Sequence, residues 1–371
     1  MLKIAILGTR GVPNHYGGFE QFAEFFSVFA QKEGHEVYVY NSHNHPFQES
    51  TFHGVKILHK YDPEYILGTF GQFIYDFNCI LDSRKRKFDV ILQLGYTSSS
   101  IWGWMLPKKS VIISNMDGLE WKRSKYSRPV QKFLKVAERL AVKTSDFLVS
   151  DSIGIQDYLL KEYKASSEFI AYGAEVFSNP NQEVLKAYNV KPYQYNMLIA
   201  RMEPENNIEV ILDGVELSDS EERFLVIGNY NSTKFGKYVK QKFSNSKKIE
   251  FLGGVYNLEH LNNLRYYSKI YFHGHSVGGT NPSLLEAMAS NTLIVAHDNP
   301  FNKSILQKNA FYFQNSTDVK EHLESLDKSN YQEFVKTNFD EVKEKYNWGI
   351  INGKYLSFCK QCLDRMLEKR S

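Results

Sequence analysis

The sequence predicts an α/β protein made of two domains, each a parallel sheet covered on both faces. Three observations carry this. The chain has 371 residues, room for about two domains at roughly 150 residues each. Short apolar runs alternate with amphipathic stretches through both halves, the signature of repeated β-α-β units. Hydrophobic residues make up 42% and charged residues 23%, which argues against a mainly disordered chain. Net charge is only +3, too small to imply nucleic-acid binding by bulk charge. No apolar run approaches the ~18 residues of a membrane span. The N-terminus lacks the long apolar segment and cleavage site of a secretory signal. Three cysteines cannot form a disulfide framework. The expected compartment is the cytoplasm.

In the first half, strands are expected at Lys3–Leu7, Glu36–Tyr40, Val55–His59, Val90–Leu94, Val111–Ser114, Phe147–Ser150 and Phe169–Ala171. The clearest helix is Phe19–Gln31, where Phe19, Phe22, Phe26 and Phe29 recur on one face. Val130–Ala141 and Gln156–Tyr163 read similarly. The stretch Ser178–Tyr195 breaks the pattern and holds a modest helix at most. A second series follows, with strands at Met197–Ala200, Phe224–Ile227, Glu250–Leu252, Ile270–His273, Leu293–Ala296 and Phe311–Phe313. Its helices are Asn207–Val215, Leu258–Tyr267, Ser283–Ala289 and Asp318–Leu326. The remainder reads as helical. Domain boundaries are therefore expected at 1–175 and 176–349, with helix 350–371 completing the first domain.

Ligands of open parallel sheets bind beyond the carboxyl ends of the strands, so those positions hold the candidate site residues. After the first strand comes Gly8-Thr9-Arg10-Gly11-Val12-Pro13-Asn14-His15-Tyr16-Gly17-Gly18. This matches neither a dinucleotide fingerprint nor a Walker A loop. Gly17-Gly18 opens the Phe-rich helix, where backbone N–H groups and the helix N-terminus suit an anion; an ordinary glycine turn is the competing reading. Asp117-Gly118-Leu119-Glu120 follows the fifth strand, where an acid meets a ligand hydroxyl or caps a loop. Arg201 follows the first strand of the second half and can grip phosphate bidentately, or pair with Glu203 or Glu205. Gly278-Gly279-Thr280-Asn281 forms a backbone-exposing loop. Ser283 and Glu286 then stand at capping-box spacing. No D-x-D sequence and no zinc-type spacing occurs, so no metal and no cofactor is expected. Cys359 and Cys362 form a C-x-x-C outside a redox context.

Together these residues resemble the GT-B fold of retaining family 4 glycosyltransferases. Gly8–Pro13, His15–Glu20, Asp117–Arg123, Pro204–Asn207 and Gly278–Pro282 narrow the resemblance to bacterial polysaccharide rhamnosyltransferases. The resemblance implies two Rossmann-like domains facing across a cleft. It implies transfer of L-rhamnose from dTDP-rhamnose to a lipid-diphosphate-linked glycan, with retention. Donor contacts would come from Gly17, Gly18, Arg201, Asn206, Gly278, Gly279, Thr280, Asn281 and Glu286, the last toward ribose. Asp117 would orient the acceptor and Arg201 would stabilise the leaving diphosphate. Arg10, His15, Tyr16 and Glu120 would serve the acceptor side. Three departures stand out, one being Asp117-Gly118 where many relatives carry His-Gly, an acid suited to the acceptor hydroxyl or to the reacting sugar. The first acid of the family's E-x7-E falls on Gly278, and the family's second basic residue falls on Asn206. With dTDP, Glu286 would meet one sugar hydroxyl rather than two.

A basic run at Arg84–Lys87 and the cations Lys122, Arg123, Lys125, Arg128, Lys132, Lys135 and Arg139 suit an anionic inner-membrane surface. Trp121, Tyr126, Phe133 and Leu134 could dip into its interface; a solvated basic face is the alternative. Trp102 and Trp104 would pack in the core, with lining of the acceptor path as the alternative. Other readings keep the fold with a UDP- or GDP-sugar, make the chain a GT-B epimerase, or make it a two-domain small-ligand-binding protein.

Overall fold

The structure, a computed structural model, describes residues 1–116, 118–123, 126–277 and 279–369. The chain forms two compact units. The first comprises Met1–Lys122, Tyr126–Tyr172 and Trp348–Ser371, and the second Arg123–Lys125 and Gly173–Asn347.

The first unit holds β1 (Lys3–Leu7), β2 (Glu36–Ser42), β3 (Thr51–Phe52), β4 (Val55–Lys60), β5 (Val90–Leu94), β6 (Val111–Asn115), β7 (Phe147–Ser150) and β8 (Glu168–Phe169). Their order in one sheet is β3-β4-β2-β1-β5-β6-β7-β8. Only the short edge strand β3 runs antiparallel. Central strands such as Val90–Leu94 are buried at every residue, because helices cover both faces of a parallel sheet. That is why they read as unbroken apolar runs. The helix Gly18–Lys32 starts after an extended Gly17 and carries Lys32 in its last turn, where a cation suits the helix dipole. The last helix, Trp348–Glu368, returns to this unit. Trp348 stacks on Phe25 at 4.6 Å, Tyr355 meets Phe22 at 4.4 Å, and the Asn115 amide donates to the Tyr355 hydroxyl at 2.9 Å. Cys359 and Cys362 are buried in it, and burial pushes the Cys362 thiol up to about 12.

The second unit holds β9 (Tyr195–Ile199), β10 (Arg223–Ile227), β11 (Ile249–Gly253), β12 (Ile270–His273), β13 (Ile294–His297) and β14 (Phe311–Phe313). All pair in parallel, in the order β11-β10-β9-β12-β13-β14. Its core joins Leu198, Phe224, Phe272 and Val295 to Ile208, Ile211 and Leu212 of the helix Ile208–Leu217. Between 173 and 194 only a short 3-10 helix, Gln182–Tyr188, interrupts irregular chain.

Each expected strand is present to within two residues. Helices Gly71–Ser83, Lys234–Lys242 and Pro300–Leu306 are additions to the expected elements. The second of these is short, nine residues with four lysines opposite the buried Val239.

Sheet topology selects two places. The direction of strand order reverses at β1/β5 in one unit and at β9/β12 in the other. Crevices at such reversals receive ligands beyond the strands' carboxyl ends.

Candidate active site

In the second unit the loops after β9 and β12 flank the reversal. The first loop runs from Ala200 through the 3-10 turn Pro204–Asn206 to Asn207, which adopts left-handed backbone at φ 48°. The second runs from Gly274 to Asn281. The two are laced together. Ser276 donates from its backbone N (3.1 Å) and Oγ (2.7 Å) to the Glu205 carbonyl. Asn207 Nδ2 donates to the Gly274 carbonyl at 2.7 Å. Gly274 is required there, since a Cβ would stand 2.0 Å from the Asn206 carbonyl oxygen.

Arg201 is exposed at the head of this turn and forms no ion pair among the described residues. The surface salt bridge with Glu203 or Glu205 is therefore not its role. Asn206 does not reach outward as a donor contact. It is buried (6% exposed), with Nδ2 donating to the Arg201 carbonyl at 2.7 Å and Oδ1 bonded to His275 Nδ1 at 2.8 Å. Both ends of its amide are used inside the protein, so it shapes the turn that presents Arg201. Burial, and after it the cations Arg123 and Arg201, push His275 down to about 3. The ring is neutral at physiological pH and adds no charge to the loop.

Helix Pro282–Ala289 opens beyond the second loop. Its N-cap is Asn281, whose side chain accepts from the Ser283 N–H at 2.9 Å. The expected capping box from Ser283 to Glu286 does not form, because Pro282 at the first helical position shifts the cap one residue earlier than Pro. Ser283 instead shares a hydrogen bond with the Tyr271 hydroxyl at 2.7 Å. Glu286 pairs with Arg265, whose Nη2 donates to Glu286 Oε2 at 2.6 Å. Arg265 is 1% exposed and comes from the helix Leu258–Tyr266. Sequence reasoning missed it, since nothing local marks an arginine that pairs 21 residues away. Gly279 and Asn281 are half-buried and Thr280 is buried. Gly278 lies outside the described residues.

In the first unit the loop after β1 is held by a buried carboxylate. Glu20 Oε1 accepts from Thr9 Oγ1 (3.2 Å) and from the Arg10 backbone N (2.9 Å). Gly8 has φ 84° and lies so close to β5 that a Cβ would stand 2.3 Å from the Leu94 carbonyl oxygen. The Arg10 guanidinium donates to both oxygens of Glu64 at 3.0 and 2.7 Å and lies 3.7 Å from the centre of the Tyr16 ring. Its charge is thus balanced within its own unit, so it is no spare cation for a phosphate. Tyr16 is exposed on its outer side. His15 packs edge-on against His45, 4.3 Å between ring centres. Gly17 and Gly18 stand at the helix start, and the Gly17 carbonyl accepts from Gln21 N at 3.0 Å. Glu120 begins a short 3-10 turn. Asp117 lies outside the described residues.

Residues 184–338 match the family model of the glycosyl transferases group 1. Residues 106–175 match a domain of unknown function, DUF1972. No curated protein matches. Sucrose-phosphate synthase from Thermosynechococcus elongatus superposes with TM-score 0.80 at 15% identity, covering 100% of both chains. HepE of Anabaena, in complex with UDP and glucose, gives 0.74 at 14%, covering 97% of this chain and 100% of that one. The α,α-trehalose 6-phosphate synthase of Burkholderia multivorans gives 0.72 at 10%, covering 100% of both. At such identities the likeness establishes the fold, which is GT-B.

The chain is a glycosyltransferase.

The loops after β9 and β12, and helix Pro282–Ala289, all fall inside the matched segment. Among the described residues, no group of three or more His, Cys, Asp or Glu is placed to hold a metal ion. Among them too, no helix is long and apolar enough to cross a membrane. Trp104, expected in the core, is 73% exposed, whereas Leu134, expected at an interface, is 5% exposed. The helix Arg128–Thr144 turns Leu134 inward and Val130, Phe133 and Val136 outward. Trp121 donates from Nε1 to the buried Glu138 at 3.2 Å, so its polar edge points inward.

Proposed function

We propose that this glycosyltransferase moves a sugar, L-rhamnose from dTDP-rhamnose in the favoured reading, to a lipid-diphosphate-linked glycan, with retention. The observation that carries the reading is the grouping of Arg201, the 279–281 loop and Glu286 at the β9/β12 reversal. A nucleoside diphosphate needs a cation and backbone donors for phosphate and an acceptor for its sugar hydroxyl, and this grouping supplies all three. Arg201 and the backbone amides of the 279–281 loop would stabilise the charge that develops on the leaving diphosphate. With this cation in place and no D-x-D sequence, the reading is metal-independent. Asn206 would act through the backbone turn that carries Arg201. In the first unit, Gly17 and Gly18 would offer further N–H donors. Asp117, Arg10, His15, Tyr16 and Glu120 would serve the acceptor, with Asp117 orienting its hydroxyl.

A lipid-linked acceptor is met at a membrane surface. Tyr65, Ile66, Leu67 and Phe70 are all exposed within one short segment. Phe70 and Phe133 both pack on Phe73, at 5.5 and 5.7 Å, which joins this segment to the outward face of helix Arg128–Thr144. Exposed Arg128, Lys132 and Arg139 border it. An apolar patch rimmed by cations suits an anionic leaflet and supports a peripheral location on the inner face of the cell membrane.

The test is thermal stabilisation by dTDP, UDP, GDP and ADP, each with and without EDTA. Selective stabilisation by dTDP that EDTA leaves unchanged is expected. Stabilisation by UDP or GDP alone removes the rhamnose donor and keeps the transferase with another nucleotide sugar, as the UDP-bound HepE structure would favour.

A further inference from the structure

The layer of the first unit that carries the exposed 65–70 segment extends well beyond it. The chain crosses from β4 to β5 through helix Gly71–Ser83, from β5 to β6 through the 3-10 segment Ser99–Met105, and from β6 to β7 through helix Arg128–Thr144. All three connections step the same way along the strand order. Right-handed crossovers that step one way lie on one face of a parallel sheet. Side chains lock this layer together. Trp102 Nε1 donates to the Phe73 carbonyl at 2.8 Å, and its ring centre lies 4.8 Å from that of Phe77. Gly103 lies against the end of helix Arg128–Thr144, where a Cβ would stand 2.3 Å from Thr144 Oγ1. The Met105 carbonyl accepts from Arg84 Nη1 at 2.6 Å. Trp104 stands between these pinned residues and is nevertheless 73% exposed.

A tryptophan held out in water by a fixed backbone leaves a large apolar ring hydrated. Its favoured surroundings are a membrane–water interface, where the ring is covered and the N–H stays wet. The charges of the layer match an anionic surface. Arg84 and Lys85 close the first helix, Lys143 closes the second, and all three are exposed. The two helices hold three carboxylates, and each is withdrawn from the surface. Asp76 and Glu138 are buried, while Asp82 is paired with Lys60 and Arg86. Leu81 and Val136 add exposed apolar side chains along the way.

We infer that Trp104 is a second membrane anchor, and that it and the 65–70 segment rest on one anionic leaflet together. Helix Gly71–Ser83 spans about 20 Å, with Phe70 at its start and Arg84 at its end, so the two anchors form a broad base. On that base the helix and the strands beneath it lie along the membrane plane. The carboxyl ends of β1 and β5 then open sideways over the surface, and a lipid-diphosphate-linked glycan reaches that edge from within the headgroup layer. The inference rests on the reading that the first unit docks on a membrane, and deepens it by fixing a second contact and the orientation.

The experiment measures cosedimentation of the full chain with vesicles of equal parts phosphatidylglycerol and phosphatidylcholine, and with phosphatidylcholine alone. Two anchors engaged at once multiply their contributions, so losing either one should weaken binding about tenfold or more. Trp104→Ala and the pair Ile66→Ala with Phe70→Ala should each do so, with Tm nearly unchanged. Trp104→Phe should lose less, and Tyr256→Ala, an 82% exposed aromatic of the second unit, should lose nothing. Anchors used in turn would leave either variant within about twofold of the natural protein, and that result overturns the inference. Lys85→Gln with Lys143→Gln should weaken anionic binding about tenfold or more; a loss below about twofold, or equal binding to phosphatidylcholine alone, overturns the charge match behind it. At saturating lipid, headgroup-proximal brominated lipid should quench part of the natural protein's tryptophan emission that Trp104→Phe lacks. Equal quenching in the two proteins also overturns the inference. Failure of the natural, folded protein to bind anionic vesicles at all overturns instead the membrane reading beneath it.

Discussion

Gly274→Ala is the sharpest probe of how the candidate site is built. Gly274 follows β12 against the turn that carries Arg201, and a Cβ there would stand 2.0 Å from the Asn206 carbonyl oxygen, 2.9 Å from its carbon and 3.0 Å from Ile211 Cδ1. The first two neighbours are backbone and cannot rotate away, so the two loops must part by about 1 Å to restore contact distance. That separation strains the Asn207 Nδ2 bond to the Gly274 carbonyl (2.7 Å) and the two Ser276 bonds to the Glu205 carbonyl (3.1 and 2.7 Å). Overpacking costs about 1–3 kcal/mol, and each weakened hydrogen bond adds up to about 1 kcal/mol. A central value is about 3 kcal/mol. For a unit of this size each kcal/mol moves Tm by about 2–4 °C, giving a fall of roughly 6–12 °C by calorimetry. Nucleotide-induced stabilisation should shrink in the same variant, because Arg201 moves with the turn. A Tm within about 1 °C of the natural protein, with nucleotide response intact, would refute the close-approach argument.

Four further outcomes are expected. Gly353 lies within the last helix, and a Cβ there meets nothing within 4 Å; Gly353→Ala should raise stability by about 0.5–1 kcal/mol, read by urea unfolding. Glu138 is 1% exposed and accepts from Tyr158 (2.6 Å), Tyr163 (2.5 Å) and Trp121 (3.2 Å) beside Lys135. Glu138→Leu should cost about 3–5 kcal/mol, and a loss below about 1 kcal/mol would count against a buried hub. Burial, with the Asp62 carboxylate adding to it, pushes Asp76 up to about 7 against the hydrogen bond from Ser98. A raised folded pKa means stability is fully present below about pH 4 and is lost as pH rises through about 7. Asp76→Asn should remove that decline, so parallel pH profiles of the two proteins in denaturant would contradict it. Ile66→Glu with Phe70→Glu should abolish cosedimentation with anionic vesicles while leaving Tm nearly unchanged, since both side chains are mostly exposed; undiminished binding would move the membrane contact elsewhere.

Much of the fold was legible from local pattern. Strands covered on both faces need continuous apolar residues, so Ile4–Leu7 and Val90–Leu94 announce themselves. The Phe-rich helix could be read from its spacing and from Gly17-Gly18 before it. Arg201, the 279–281 loop and Glu286 were legible because a parallel sheet places the residues after each strand at one edge, so strand ends in the sequence become neighbours in space. The helix Lys234–Lys242 is amphipathic but only nine residues long, too short a run for its period to stand out in the sequence.

The sequence by itself determined which residues stand at the strand ends and how many charges they bring. What each one does there was decided by tertiary structure. Asn206 looks like a ligand contact until its amide is seen bonded to Arg201 and His275. Arg10 looks like a spare cation until the Glu64 carboxylate pairs with it through two hydrogen bonds. Glu286 looks like a helix cap or a free fork until Arg265 pairs with it. His275, Glu64 and Arg265 each come from a distant part of the chain. A hydrogen bond depends on distance and angle across packed elements, and sequence separation carries neither.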